Sequence, residues 1–196
     1  MCAQTRIGGG RTNKREELIR AGINEINRHG VTGFSIRRVA ESCGVSCAAP
    51  AKHFGDRKGF LAAIIEYVNR QWTERQLRIL RESGSSLRAQ IVGISVEYVK
   101  FLVENPHFRS IIMMKDDEFD SVYSSVRGVM SEITQRLVQA YCESVGMTEE
   151  IRRRKLYVVR ALIYGAALMF DNGELEYSDG MLEIVRASID REFDLP

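Results

Sequence analysis

Residues 35–54 read Ser35-Ile36-Arg37-Arg38-Val39-Ala40-Glu41-Ser42-Cys43-Gly44-Val45-Ser46-Cys47-Ala48-Ala49-Pro50-Ala51-Lys52-His53-Phe54. Ser35 is a good N-cap, and Ile36, Val39, Ala40 and Cys43 then share one helical face that Gly44 stops. Ser46 is expected to cap a second short segment, Cys47–His53, in which Pro50 is tolerable because it falls in the first turn. Upstream, Leu18, Ile19, Gly22, Ile23 and Ile26 recur at three- and four-residue intervals and end at His29-Gly30, a basic last turn followed by glycine. A longer helix backing two short ones joined by a glycine turn predicts a helix-turn-helix.

Outward from this unit the helical period continues. Asp56 can cap a long helix with Phe60, Leu61, Ile64, Ile65, Val68, Trp72 and Leu77 inward, running to Ser83-Gly84-Ser85-Ser86. Further helices are expected at about 87–104, 106–114, 118–144, 148–170 and 178–193. Asn105-Pro106, Lys115–Asp117, Val145-Gly146 and Asp171-Asn172-Gly173 break them. No alternating strand emerges, so the expected class is all-α. Before the first helix, Gly8-Gly9-Gly10 and Arg11 read as a flexible basic arm over residues 1–13.

Composition narrows the function classes. The chain has 196 residues, 44% hydrophobic and 28% charged, which suits one core or two small ones and excludes a disordered tail. Its longest apolar runs fall well short of the roughly 20 residues that a membrane-spanning helix needs. The first residues hold no apolar core of the kind a signal peptide requires, so the expected compartment is the cytoplasm, with no membrane partner. Cys2, Cys43, Cys47 and Cys142 form no C-x-x-C pair, and His29, His53 and His107 lie far apart, so neither a metal site nor a cofactor is expected. No G-x-S-x-G, P-loop or H-E-x-x-H motif points to an enzyme.

The net charge of +2 conceals a split. Residues 1–60 hold eleven Lys or Arg against five Asp or Glu, a balance of +6, and the remainder carries −4. A basic small unit beside a mildly acidic larger one is the footprint of a chain whose first unit meets a polyanion.

Between Leu18 and Leu61 the sequence resembles the TetR family of bacterial transcriptional regulators. The likeness is carried by Ser35–Ser46, by Ala48-Ala49-Pro50-Ala51-Lys52-His53-Phe54 and by Asp56-Arg57-Lys58. Asn105-Pro106 and Ala161-Leu162-Ile163-Tyr164-Gly165 match that family's second domain more loosely. The resemblance implies an N-terminal three-helix DNA-binding domain over 14–57, followed by a larger helical ligand-binding and dimerisation domain over 58–196. It also implies a homodimer on a double-stranded DNA operator, most simply a repressor released by a small-molecule effector. The rival is a helical small-molecule binder or enzyme with a vestigial reading domain.

The residue chemistry agrees with a DNA-reading helix, which needs small or hydrogen-bonding side chains at its start and cations around it. Ser46, Cys47, Ala48 and Ala49 are small enough for close approach, and an alanine methyl suits a thymine methyl. Lys52 and His53 reach for phosphate or a base acceptor, and Arg37 for the backbone. By the resemblance Arg57 stands where the family carries a phosphate-binding lysine, while Lys58 is expected to face solvent. Ala51 replaces the family's usual aromatic DNA-backbone contact, which shifts weight onto the arm with Arg6 and Arg11. For Cys47 the role of a small interface residue outweighs that of a redox sensor, because no resolving thiol is evident.

In the second domain Tyr98, Phe101, Met113, Tyr123 and Tyr164 are the candidate pocket residues, since a buried phenol needs a partner that a ligand can supply. Leu156, Val159, Ile163, Ala166, Ala167 and Phe170, with Met181, Leu182, Val185 and Ile189, are expected to form a two-fold four-helix interface. The run Arg152–Lys155 reads as a solvated helix start paired with Glu149 and Glu150. The acidic set Asp116, Asp117, Glu118 and Asp120 reads as ordinary helix-start charge.

Overall fold

The computed structural model describes residues 14–106 and 132–194. The arm with Arg6 and Arg11, the acidic set at 116–120, and Met113 and Tyr123 lie outside the described residues. Among those described there are eight α-helices and no strand. They are α1 (Lys14–His29), α2 (Ile36–Ser42), α3 (Ala48–Phe54), α4 (Arg57–Glu82), α5 (Leu87–Glu104), α6 (Glu132–Ser144), α7 (Glu149–Asp171) and α8 (Asp179–Arg191). The chain divides into two compact units, with the boundary after Ile64, inside α4.

In the first unit, the stripe of α1 is buried as its period requires: Leu18, Ile19 and Ile26 are inaccessible or nearly so. They join Val31, Phe34, Val39, Ala40 and the first turns of α4, where Phe60 and Ile64 are fully buried. Phe60 sits between two rings, stacked on Phe54 at 4.0 Å and edge-on to Phe34 at 5.4 Å. Ser35 caps α2 by accepting from the Arg38 amide at 3.4 Å. The stop is a left-handed Gly44 (φ +62°), which lets the Val45 amide return to the Ala40 carbonyl at 3.0 Å. One expectation shifts: α3 begins at Ala48 with Cys47 at the N-cap and no side-chain cap bond, and Ser46 contributes its backbone carbonyl, which accepts from Ala49.

In the second unit, α5 is apolar nearly all round and is therefore central, packing on α6, α7 and α8. Its Ile91, Val99 and Leu102 meet Val159, Ile163 and Ala167 of α7 and Leu182 and Ile189 of α8 in one core. Thr148 and Ser178 cap α7 and α8 through their side chains. Leu77, expected inward, is 42% exposed, and Gln76 is buried instead, donating to Thr134 Oγ1 at 3.0 Å. The α-helical step explains the exchange: Trp72 points inward and the residue one turn on is 76, not 77.

Lys155 also departs from the solvated run expected of it. It is 8% exposed, and its Nζ donates to the carbonyls of Glu192 (2.6 Å) and Asp194 (3.1 Å). There it joins Arg88, which pairs with Asp190 (2.7 Å) and Asp194 (2.8 Å) and donates to the carbonyls of Asp190 and Phe193. Tyr141 donates its hydroxyl to the same Phe193 carbonyl at 2.7 Å. These donors satisfy the orphan carbonyls at the end of α8. The Arg88 guanidinium holds the Asp190 carboxyl below its ordinary 3.8.

Candidate functional site

The first unit presents α3 outward. Pro50 alone among its residues is buried; Ala48, Ala51, Lys52 and His53 are exposed and Ala49 is half-buried. Ser46 and Cys47, just before the helix, are exposed as well. The aromatic exit holds this surface in place, since Phe54 stacks on Phe60 and Gly55 turns the chain into α4 with φ +77°.

Charge around α3 is unevenly neutralised. Lys14 pairs with Glu17 (2.7 Å), Arg20 with Glu16 (2.8 Å), and Arg38 with the nearly buried Glu25 (2.5 Å) while donating to the Gly33 carbonyl. Arg37 donates to Glu41 at 2.9 Å, and this hydrogen bond raises its guanidinium pKa above the ordinary value. Arg37 is thus a paired but exposed cation. Lys52 has no ion-pair partner among the described residues. Arg57 is exposed yet committed to the fold, donating to the Val31 carbonyl at 2.6 Å and lying over the Phe34 ring. Lys58, expected at the solvent face, is half-buried.

The second unit holds a cavity of about 890 Å³. Trp72, Ile91, Ile94, Tyr98, Val138, Val159, Ile163 and Phe193 make most of its apolar wall. Arg136, Gln139, Glu143, Arg152, Arg160 and Tyr164 bring polar groups to it. Trp72 lies 4.8 Å from the Tyr98 ring, and the Tyr98 and Tyr164 rings stand edge to face at 6.4 Å. Burial, then the neighbouring Tyr164, pushes the Tyr98 phenol far above its ordinary 10, so it stays protonated. A hydrogen-bonded chain runs from Glu149 through Arg152 and Gln139 to Glu143.

Of the expected pocket residues, Tyr98 and Tyr164 line this cavity. Phe101 does not: it is 1% exposed, behind Trp72 and Tyr98 in the aromatic cluster. Met113 and Tyr123 lie outside the described residues. Trp72 and Arg160 were missed, although their signal was present. Arg160 stands one turn before Tyr164, and Trp72 continues the α4 stripe.

The expected two-fold interface also needs correction. Val159, Ile163, Ala166, Ala167, Phe170, Leu182, Val185 and Ile189 are buried in the unit's own core, and Leu156 and Met181 pack against it. The large apolar side chains that α7 and α8 leave uncovered are Tyr157 (74% exposed), Leu168 (51%), Met169 (42%) and Ile184 (58%).

No known family model matches the chain. Over 81 residues it is 31% identical to the HTH-type transcriptional regulator BetI of Stenotrophomonas maltophilia, a match covering 41% of each. The chain thus spans less than half the length of that curated relative. In fold it is similar over nearly its whole length to solved structures. One is a TetR family transcription regulator from Marinobacter aquaeolei VT8 (18% identity, TM-score 0.66, covering 91% of this chain and 94% of that one). Another is the transcriptional regulator FadR from Bacillus subtilis in complex with stearoyl-CoA (13% identity, TM-score 0.72, covering 90% and 95%). With a helix-turn-helix unit followed by a helical unit that holds a cavity, the chain has the fold of the solved TetR family regulator and of FadR, and over 81 residues it resembles the regulator BetI in sequence.

Proposed function

We propose that this chain is a sequence-specific DNA-binding transcriptional regulator, a repressor that a small-molecule effector releases from its operator. The observation that carries the reading is the outer face of α3, where small residues at the start are followed by the exposed Lys52 and His53. Small side chains admit the helix into the major groove, and a cation without a carboxylate partner has phosphate or a guanine edge as its natural complement. Arg37 adds a phosphate contact once DNA competes with Glu41 for it. The cavity in the second unit takes the effector. FadR of Bacillus subtilis, which shares the fold, was solved with stearoyl-CoA. An effector acts only through its differential affinity for the DNA-competent and DNA-incompetent states.

The regulator works as a homodimer, because one short helix reads too few base pairs for useful affinity and two half-sites spaced by about 34–36 Å restore it. The surface for this lies on α7 and α8. Tyr157, Ala161, Gly165 and Leu168 form one helical stripe, and Gly180, Ile184 and Ala187 another. A β-carbon at Gly165 or Gly180 would touch nothing within 4 Å, so packing inside the chain does not demand glycine there. A second copy's helices approaching closely would.

The test is a fluorescence-anisotropy titration with DNA from upstream of the protein's own coding region, with excess nonspecific competitor at two salt concentrations. Competitor-resistant binding that disappears in Lys52→Ala/His53→Ala is the expected result. Binding erased equally by salt and competitor, with no effect of the substitutions, would overturn α3 as a sequence reader.

A further inference from the structure

The cavity's polar groups are not equally engaged. Arg152 is held by Glu149 and Gln139, and Arg136 by Glu132. Arg160, the third arginine on the lining, has no ion pair or hydrogen bond among the described residues. It stands one turn before Tyr164 on α7, and Tyr98 and Tyr164 line the same cavity, their rings 6.4 Å apart. Each of the two phenols carries one proton that it can donate. An unpaired guanidinium beside an available phenol proton is a receptor for a carboxylate, whose two oxygens accept one bond from each. The rest of the wall offers indole, isoleucine and valine, suited to an apolar body, and the volume lies within the range of small-molecule sites.

We propose that the cavity binds an amphipathic carboxylate, with its head between Arg160 and the Tyr98–Tyr164 pair and its apolar body against Trp72, Ile94 and Ile163. This names the chemistry of the effector and rests on the reading of the cavity as the effector site. A neutral molecule of the same length gains the apolar wall and forfeits the head-group contacts. The head thus sets which molecules are accepted, and the wall sets how long a body they have.

Trp72 is the chain's single tryptophan and lines the cavity, so its emission reports occupancy directly. The full chain is titrated with decanoate, with 4-phenylbutyrate and with decanol, in wild type, Arg160→Gln and Tyr164→Phe, with circular dichroism to establish that each variant is folded. At least one acid should change Trp72 emission saturably and bind about 10-fold or more tightly than decanol, the size expected for charged hydrogen bonds. Arg160→Gln should abolish that advantage and leave decanol affinity unchanged, and Tyr164→Phe should reduce it. Whichever acid binds more tightly tells an alkyl body from an aryl one. Equal affinity of acid and alcohol, an acid affinity unchanged in folded Arg160→Gln, or no saturable response to either acid would overturn the proposal. Release of DNA is read separately by anisotropy. Carboxylate binding without DNA release would defeat the regulator reading and leave the carboxylate site standing.

Discussion

A β-carbon at Gly59 would overlap the backbone carbonyl oxygen of Phe54, so the exit from α3 and the first turn of α4 are packed more closely than any other residue permits. Gly59 also donates its amide to Asp56 Oδ1 at 2.8 Å, which closes the start of α4. Gly59→Ala should therefore destabilise the first unit despite the better helix propensity of alanine, by about 1–3 kcal/mol, the usual cost of forced overpacking. Urea denaturation would measure it, and an unchanged midpoint would show that the two backbones separate without penalty. Nothing in the sequence around Gly59 announces this, because the clash is with a backbone atom. Ser35, by contrast, was legible from its neighbours alone, since capping is local. Ser35→Ala should cost about 1 kcal/mol in the same measurement.

Helix limits were readable to within a residue or two wherever a cap or a glycine marked them, as at Ser35, Ser86, Thr148 and Ser178. What periodicity does not carry is the partner of a face. The exchange of Leu77 for Gln76 turns on a single residue of phase, and Lys155 is buried because its ammonium finds the carbonyls at the end of α8, which lie almost 40 residues away. That helix end also titrates. Because Arg88 lowers the Asp190 carboxyl in the folded chain, the pair's contribution is present above the ordinary 3.8 and is lost as pH falls through the lowered value. Thermal melts of wild type and Arg88→Met should differ most near neutrality and converge in part below about pH 3.8. A residual gap should remain, since Arg88 also holds the Asp190 and Phe193 carbonyls at any pH. A gap that grows on acidification would refute this account of the helix end.

At the scale of the whole molecule, the division into two units was legible in the helix-turn-helix spacing and the long helix that follows it. The assignment of apolar surface was not. The strongest stripes of α7 and α8 serve the unit's own core, and an amphipathic pattern is the same whether the chain or a second copy covers it. The exposed remainder supports a firm expectation: Leu168→Glu/Ile184→Glu should elute as a monomer in light-scattering chromatography, with its helical signal intact, and lose operator affinity more than 10-fold at nanomolar protein. A variant that stays dimeric would move the interface elsewhere. Phe193 lines the cavity, its ring edge-on to Tyr141, while its carbonyl is the anchor that Tyr141 and Arg88 hold. Fraying of the last turn and opening of the wall are then a single local equilibrium, so an occupant that braces the ring must slow amide hydrogen exchange along residues 189–194, and loosening that turn must shorten the occupant's stay.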